Sequence, residues 1–243
     1  MTDDGVRLTL LWVILTAIGE FIVLGWSMLP EGFSVEADVV DEAYLILLVL
    51  AVPVFAFVVA MLIFSAIRFR TKDGPDEDGP PLKAKPSIVR GWLAITSLLA
   101  VGILINPGFV GLSDIRGSSA ADMVIDVQSQ RWFWSITYPN GGVSTEELVV
   151  PVDTRIRFDI TSLDVLHSFW VPAFRAKIDA VPGRTTELFV SVDREGLFEN
   201  DSNLRVQCAE FCGLGHASMA IPVRVLDGAA FDGWMGELIE EGA

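Results

Sequence analysis

The chain has 243 residues, of which 51% are hydrophobic, and it carries a formal net charge of −15 at pH 7. This apolar content excludes an ordinary water-soluble protein for the whole chain and indicates a membrane protein. The excess of acidic residues argues against nucleic acid as a partner, because phosphate backbones are bound mainly by Lys and Arg.

Three apolar runs predict transmembrane helices at about 8–29, 43–67 and 91–110. Each is long enough, at about 1.5 Å of rise per residue, to cross a hydrocarbon core of about 30 Å. The predicted anchor therefore comprises residues 1–110. Its loop at 68–90 concentrates Lys and Arg, which predicts a cytoplasmic loop and puts the remainder of the chain on the extracytoplasmic side of the cell membrane.

The first apolar run has two interpretations. Val35-Glu36-Ala37 resembles a small-residue cleavage site, so the run could belong to a signal peptide that is removed. Its length and its acidic start instead favour a retained helix. Glu20 lies inside this run, and we expect it to face a partner subunit or a water-filled gap, because a carboxylate is costly to bury in lipid.

Residues 115–243 predict a separate water-soluble domain. Short segments such as "MVIDVQSQRWFWSI", "RIRFDITS" and "IPVRVL" are rich in β-branched and aromatic residues and are separated by turn residues, which is typical of a β-sandwich or barrel. The tail "AAFDGWMGELIEE" has the apolar spacing of a short amphipathic helix. The acidic, lysine-poor composition suggests a halophilic source, although it equally fits an ordinary solvated acidic surface.

Soft metal-ligand residues are concentrated in "VQCAEFCGLGHASM". Cys208, Cys212, His216 and Met219 have the spacing C-x3-C-x3-H-x2-M in a stretch that contains two glycines and predicts a loop. Thiolate, thioether and imidazole favour copper over magnesium or calcium. His167 is the only other histidine, and it would complete the set if it folded against this loop.

Three interpretations of this cluster remain open on residue chemistry alone. Two cysteines four residues apart in an extracytoplasmic domain could form a disulfide. Two Cys and two His could hold a structural zinc, for which Met219 has no role. Alternatively, two bridging thiolates, two imidazoles and a weak axial thioether could hold two copper ions, whereas a single blue-copper ion needs only one Cys.

Three segments then resemble a known family. "CAEFCGLGHASM", "LHSFWVPAFRAKIDAVPGR" and "QRWFWSITYPN" resemble subunit II of the haem–copper cytochrome c oxidases over about residues 42–226. The resemblance implies a membrane-anchored all-β protein, with two or three N-terminal helices followed by a cupredoxin-like β-sandwich that carries a dinuclear copper-A centre. The copper ligands that it implies are the five side chains and one backbone carbonyl of His167, Cys208, Glu210, Cys212, His216 and Met219.

The resemblance also implies a function and partners. The chain would accept single electrons from a soluble donor, a cytochrome c or a small blue-copper protein, and pass them to haem in oxidase subunit I, where oxygen is reduced to water. The Glu210 side chain would reach a magnesium or manganese ion at the boundary with subunit I. The alternatives are a membrane-anchored copper-binding or copper-carrier module, and the electron-accepting subunit of a nitrogen-oxide reductase.

The stretch "RWFWS" holds the candidate point where electrons enter. Alternation along a strand predicts Trp132 and Trp134 on one face and Phe133 on the other. Both tryptophans could simply pack in the core. The resemblance instead implies that Trp132 lies near the surface above the copper pair, where Asp164 and Asp179 could orient a positively charged donor.

Overall fold

A computed structural model describes residues 3–26, 28–70, 85–116 and 120–242, with the backbone alone at 241 and 242. Most of the predicted cytoplasmic loop, residues 71–84, lies outside the described residues. The chain divides into two compact units. One comprises Met1–Leu29 and Glu42–Leu112, and the other comprises Pro30–Asp41 and Ser113–Ala243.

The first unit is helical. It contains α1 (Asp3–Gly25), most of α2 (Val35–Arg68), α3 (Pro86–Ile103), a π-helical segment (Leu104–Phe109) and the start of α4 (Val110–Arg116). Among the described residues, three stretches are long and apolar enough to cross a membrane, namely Asp3–Gly25, Val35–Arg68 and Pro86–Arg116. Apolar N-terminal helices followed by a β-sandwich were predicted, and that order is confirmed.

Helices α1 and α2 contact each other within the first unit. The indole Nε1 of Trp12 donates a hydrogen bond to the carbonyl oxygen of Pro53 at 2.8 Å. Gly19 approaches α2 so closely that a Cβ atom there would lie 2.6 Å from a methyl group of Val52. Glu20 has a buried carboxylate oxygen that finds no hydrogen-bond partner among the described residues. Its expected contact with a partner subunit or a water-filled gap remains a prediction.

The second unit is a β-sandwich of two sheets. The first has the order β3-β2-β1-β5-β8, and the second has the order β4-β11-β10-β6-β7 with β9 paired to β11. Neighbouring strands are antiparallel except for the pairs β1/β5 and β4/β11. The strands are β1 (Met123–Gln130), β2 (Phe133–Thr137), β3 (Val143–Ser144), β4 (Leu148–Pro151), β5 (Thr154–Ser162), β6 (His167–Val171), β7 (Ala176–Ala180), β8 (Thr186–Val192), β9 (Gly196–Leu197), β10 (Arg205–Cys208) and β11 (Ala220–Leu226).

The stretch "MVIDVQSQRWFWSI" is a hairpin, not one strand. Gln130 at the end of β1 pairs with Phe133 at the start of β2, so Arg131 and Trp132 form a two-residue turn. The predicted common face of Trp132 and Trp134 is therefore wrong, because the turn interrupts the alternation. Trp134 is fully buried in the core, whereas Trp132 is 40% exposed.

The segment Pro30–Asp41 belongs to the β-sandwich unit, although the sequence predicts only an external link here. Phe33 is a core residue, and its backbone N–H donates to the carbonyl of Ala173 at 3.0 Å. The Ser34 hydroxyl accepts a hydrogen bond from the backbone N–H of Ala37 at 3.1 Å, and so caps the start of α2. The sandwich is therefore completed by residues that lie about 90 positions before its first strand.

Three ion pairs hold this segment in place. Asp41 receives two hydrogen bonds from Arg175, at 2.8 and 2.9 Å. The nearly buried carboxylate of Glu36 lies 3.4 Å from a guanidinium nitrogen of Arg155 and accepts the backbone N–H of Ser191 at 2.8 Å. The third pair joins Glu31 and Arg194 at 3.3 Å. Glu31, Glu36 and Asp41 thus have specific partners in the β-sandwich unit instead of forming a free charged loop.

The predicted C-terminal helix is α5 (Gly228–Gly242). Phe231 and Trp234 pack against Tyr138, with the rings of Trp234 and Tyr138 5.1 Å apart in an edge contact. The indole of Trp234 also donates to Glu147 at 3.0 Å. The apolar face that the sequence indicates is therefore the face that packs on the sandwich.

Candidate metal centre

Two neighbouring strands bring the donor residues together. His167 is the first residue of β6, and Cys208 is the last residue of β10. These strands pair with Cys208 opposite Phe169, and the backbone N–H of Ala209 donates to the carbonyl of Ser168 at 3.0 Å. The pairing places the isolated histidine beside the first cysteine of the loop.

The loop 208–219 folds back on itself. The backbone N–H of Cys208 donates to the carbonyl of Met219 at 3.0 Å, which closes the loop at its base. Gly213 has a φ of +117°, a conformation that residues with a side chain rarely adopt. The N–H of His216 then donates to the carbonyl of Gly213 at 3.1 Å and starts a short 3₁₀ turn. This compact path turns side chains from both arms of the loop toward one point.

The two thiols and two imidazoles form a continuous chain of contacts. The sulfur atoms of Cys208 and Cys212 lie 3.8 Å apart. Nδ1 of His167 lies 3.8 Å from the sulfur of Cys208, and Nδ1 of His216 lies 3.7 Å from the sulfur of Cys212. Each thiol thus has one imidazole on its outer side and the other thiol on its inner side.

A thioether and a carbonyl complete the donor set. Sδ of Met219 lies 3.9 Å from the sulfur of Cys212. The backbone carbonyl of Glu210 accepts a hydrogen bond from the thiol of Cys208 at 3.1 Å. All six predicted ligand positions therefore converge, and their assignment as copper ligands remains a prediction.

The arrangement can be compared with the three interpretations of the cysteines. Both cysteines are free and buried, so they do not form a disulfide in this structure. A structural zinc site uses four ligands. The six donors comprise two thiols and two imidazoles in a row, together with a weaker thioether and a carbonyl, and this set fits two soft ions better than one zinc ion.

The environment of Cys212 affects how it can bind a metal. Burial, a hydrogen bond with Cys208 and the charge of Cys208 together raise the pKa of the Cys212 thiol to about 11. The free thiol is therefore protonated at neutral pH. A bound cation must displace that proton before the sulfur can act as a thiolate ligand.

Asp164 supports His167, a role that the sequence interpretation misses. With Nδ1 of His167 directed at Cys208, Nε2 carries the proton and donates to Oδ1 of Asp164 at 2.9 Å. Oδ2 of Asp164 accepts the backbone N–H and the Nε–H of Arg131, at 3.0 and 3.1 Å. Both oxygens of the carboxylate are thus hydrogen-bonded within the protein, so Asp164 is not free to orient an electron-donor protein.

The same contacts determine the charge state of Asp164. Burial raises the pKa of Asp164, but hydrogen bonds from His167, from the backbone of Arg131 and Val165 and from the Arg131 side chain outweigh burial and hold this pKa well below its usual range. The carboxylate therefore stays ionised at neutral pH. A carboxylate three residues before a candidate ligand histidine is the only signal in the sequence that could have suggested this pairing.

We expect Asp164→Ala to lower copper affinity by about 10–100-fold, because groups that orient a metal-binding histidine typically contribute that much. The measurement is a copper titration of the full chain in detergent against a competing chelator. Asp179→Ala removes an exposed carboxylate from the same unit and should leave the affinity unchanged. Equal affinities in wild type and Asp164→Ala would mean that other contacts, such as the edge contact between the Trp134 and His167 rings, are enough to orient the imidazole.

Trp132 lies directly on the ligand loop. Its indole Nε1 donates to the backbone carbonyl of Cys212 at 3.3 Å. Part of the ring remains exposed, as the resemblance implies. The side chain thus joins the surface to the backbone of a candidate ligand.

Glu210 contributes to the donor set through its backbone only. Its side chain is exposed, so the carboxylate lies outside the buried donor cluster. The predicted magnesium or manganese site would need further ligands from another chain.

Comparisons with known proteins identify the family of the chain. Residues 142–226 match the family "Cytochrome C oxidase subunit II, periplasmic domain". The chain is 29% identical over 275 aligned positions to cytochrome c oxidase subunit 2 of Thermostichus vulcanus, covering 91% of this chain and 82% of that protein. It is 30% identical over 240 positions to a probable cytochrome c oxidase subunit 2 of Rickettsia bellii, covering 87% of this chain and 84% of that protein.

A solved structure is also similar. It is the periplasmic domain of subunit II of cytochrome oxidase from Bradyrhizobium japonicum, with 33% identity and a TM-score of 0.47, and the match covers 51% of this chain and 98% of that domain. The match to the Rickettsia bellii protein extends over most of both chains. Because of its similarity to the Rickettsia bellii protein, the chain belongs to the cytochrome c oxidase subunit 2 family.

Proposed function

We propose that this chain is the subunit of a haem–copper oxidase that accepts single electrons from a soluble donor and passes them to haem in subunit I. The observation that carries the proposal is the convergence of two thiols, two imidazoles, a thioether and a carbonyl within contact distances of 3.1–3.9 Å. Copper bound to these groups would supply the one-electron redox chemistry. Reduction of oxygen would take place in another subunit.

The protein residues prepare the site before any ion binds. Asp164 holds the imidazole of His167 through Nε2, so that Nδ1 faces the thiol of Cys208. The rings of Trp134 and His167 are in edge contact, with centroids 6.3 Å apart, which restricts the tilt of the imidazole. A ligand set that is fixed in this way needs little rearrangement when the charge of the centre changes by one electron.

The burial of the donors argues against a copper carrier. His167, Cys208, Cys212 and Met219 are all buried, and the remaining donor side chain, His216, is partly buried. A carrier must exchange its ion with other proteins, which needs an accessible site. A closed set of donors is better suited to retaining metal while electrons pass.

The proposed location is the cell membrane, with the β-sandwich on the extracytoplasmic side. Three apolar helices of sufficient length support the anchor. The basic residues between the second and third spans support a cytoplasmic position for that loop. Subunit I and other oxidase subunits are the proposed membrane partners, and a cytochrome c or a small blue-copper protein is the proposed donor.

We extend the proposal to a second metal at the subunit boundary. The exposed carboxylate of Glu210 belongs to a residue whose carbonyl already contacts Cys208. A hard oxygen ligand of this kind suits magnesium or manganese and not copper. One residue would then connect two different metal sites.

A copper count and a spin-resonance spectrum of the purified full chain test the proposal. The expected result is two copper ions per chain and one unpaired electron shared equally by both nuclei. One copper per chain, with hyperfine structure from a single nucleus, would instead indicate a mononuclear site and reject the proposed centre.

We expect Trp132→Ala to slow reduction by the soluble donor at least tenfold, a barrier increase of about 1.4 kcal/mol, while the copper spectrum and the fold persist. The reason is that this exposed indole is bonded to the carbonyl of Cys212 and offers a short path from the surface to the donor set. Stopped-flow reduction at matched salt measures the effect.

Trp134→Ala is the matched control for loss of an indole. Trp134 is fully buried and contacts both His167 and Phe169, so we expect its removal to disturb the fold and the copper spectrum. If Trp132→Ala is reduced as fast as wild type, electrons enter elsewhere. If it loses copper or unfolds, Trp132 has a structural role.

A further inference from the structure

The hairpin turn between β1 and β2 carries a cation that is linked to the donor cluster through one carboxylate. Arg131 donates to Oδ2 of Asp164 from its Nε–H at 3.1 Å and from its backbone N–H at 3.0 Å. Oδ1 of the same carboxylate accepts the Nε2–H of His167 at 2.9 Å. Nδ1 of His167 lies 3.8 Å from the sulfur of Cys208. A guanidinium is therefore joined by two hydrogen bonds in series to a candidate copper ligand.

Exposure to water increases along this series. The side chain of His167 is fully buried, that of Asp164 is 19% exposed and that of Arg131 is 49% exposed. Charges act more strongly on a buried group than on an exposed one, because the protein interior screens them less than water does. Solvent still weakens the half-exposed ion pair between Arg131 and Asp164. The guanidinium should thus have a measurable but moderate effect on the imidazole.

The Arg131 side chain is not the only group that holds Asp164. The backbone N–H of Arg131 donates to Oδ2, and the backbone N–H of Val165 donates to Oδ1 at 2.7 Å. Neither bond depends on the guanidinium. Substitution of the side chain should therefore remove a positive charge while the carboxylate stays near His167.

The signs of the charges give the direction of the effect. A carboxylate that accepts the Nε2–H of His167 makes the imidazole a more basic ligand, which favours the more positively charged, oxidised metal. The guanidinium of Arg131 offsets the charge of that carboxylate, which favours the centre after it has gained an electron. Loss of the guanidinium should therefore lower the reduction potential.

We propose that Arg131 is a positioning residue of the metal centre, which acts through Asp164 on His167 and raises the reduction potential of bound copper. The inference rests on the proposed electron-accepting function. Arg131 would not be a ligand and would not take part in electron transfer. It would limit how strongly the carboxylate draws on the Nε2–H of the ligand imidazole.

The test compares wild type, Arg131→Leu and Arg131→Lys as copper-loaded full chains in detergent. A redox titration with soluble one-electron mediators, followed by visible absorption, measures the reduction potential. We expect Arg131→Leu to lower the equilibrium constant for reduction at least threefold, which is about 28 mV for a one-electron couple. Copper content and the shared-electron spectrum should not change. Arg131→Lys retains the positive charge and should restore most of the potential.

Arg194→Leu is the matched control for loss of a surface cation. Arg194 is 43% exposed and pairs with Glu31 at 3.3 Å, so it resembles Arg131 in exposure and in having a carboxylate partner. It follows β8, whose last residue pairs with Thr154 at the end of β5 remote from Ser162 and Asp164. We expect this variant to keep the wild-type potential.

A double variant tests the route through the carboxylate. Asp164→Asn removes the negative charge but keeps an oxygen that can accept the Nε2–H of His167. If Arg131 acts through Asp164, then Arg131→Leu should shift the potential less in the Asp164→Asn background than in wild type. An equal shift in both backgrounds would mean that the cation acts directly through space.

A metal-free measurement complements the titration. The chain has only two histidines, so a sample labelled with nitrogen-15 in histidine gives a simple magnetic resonance spectrum, which His216→Ala assigns. We expect the Nε2–H signal of His167 to persist in Arg131→Leu and to move downfield, because the carboxylate then accepts this proton more strongly. Loss of the signal would mean that the guanidinium only keeps the ring in place.

Five results would overturn the inference. They are an unchanged potential in Arg131→Leu, an equal fall in Arg194→Leu, no recovery in Arg131→Lys, an equal shift in both Asp164 backgrounds, and loss of the His167 signal. Failure of the proposed function would look different. The wild-type chain would then hold no pair of copper ions that shares an electron, which would reject the proposed centre and this inference together.

Discussion

Cys208→Ser and Cys212→Ser should each abolish the spectrum of an electron shared between two copper nuclei. Each sulfur contacts the other sulfur and one imidazole, so either thiolate is positioned to bridge two ions. A serine hydroxyl is a hard, weakly acidic group that replaces neither the softness nor the charge of a thiolate. The measurement is electron spin resonance together with copper content in the purified full chain.

Met219→Leu is the matched control, because Met219 is also buried and contacts Cys212 but would be a weak axial ligand. We expect it to keep two coppers and a shared electron, with altered spectral parameters. A normal dinuclear spectrum in either serine variant would contradict the proposed bridging roles of the cysteines. Loss of the centre in Met219→Leu as well would show that the spectrum reports packing of the loop and not its ligands.

Phe33→Ala should lower the free energy of unfolding of the β-sandwich unit by about 3–5 kcal/mol, the usual cost of removing a buried phenylalanine. Phe33 is only 5% exposed, and a Cβ atom on Gly196 would lie 2.4 Å from its ring, so the ring fills a specific space in the core. Urea unfolding of the metal-free full chain in detergent, followed by near-ultraviolet circular dichroism, measures the loss.

Two variants delimit this prediction. Phe211→Ala removes a phenylalanine that is 78% exposed in the same unit, and should change stability by less than about 0.5 kcal/mol. Phe33→Leu retains most of the apolar volume and should lose less stability than Phe33→Ala. A loss below about 1 kcal/mol in Phe33→Ala would mean that residues 30–41 contribute little to the stability of the sandwich.

The sequence predicts those features that depend on residues close together in the chain. The apolar runs are long enough to identify three candidate spans, because the length of a helix and the thickness of a bilayer are fixed. The spacing of Cys208, Cys212, His216 and Met219 identifies a donor loop, because ligands within twelve residues can converge without help from the remaining fold. The amphipathic spacing at Phe231 and Trp234 likewise predicts the terminal helix.

Local patterns fail where a turn or a distant segment intervenes. Alternation places Trp132 with Trp134, but the two-residue turn at Arg131 and Trp132 ends the alternation, and nothing in the local sequence marks where β1 stops and β2 starts. The predicted outward role of Asp164 fails for a related reason. Its charge suggests a surface residue, whereas its partners Arg131 and His167 become neighbours only when β1, β5 and β6 assemble.

By itself, the sequence determined the class of protein and the identity of the donor loop, because hydropathy, helix length and ligand chemistry are properties of short segments. Only the tertiary structure decided that Phe33 and Glu36 complete the sandwich, that Asp164 holds His167, and that Arg131 is bonded to the same carboxylate. These contacts join residues separated by three to about 160 positions. The folded backbone fixes such distances and directions, and no local pattern of residue types specifies them.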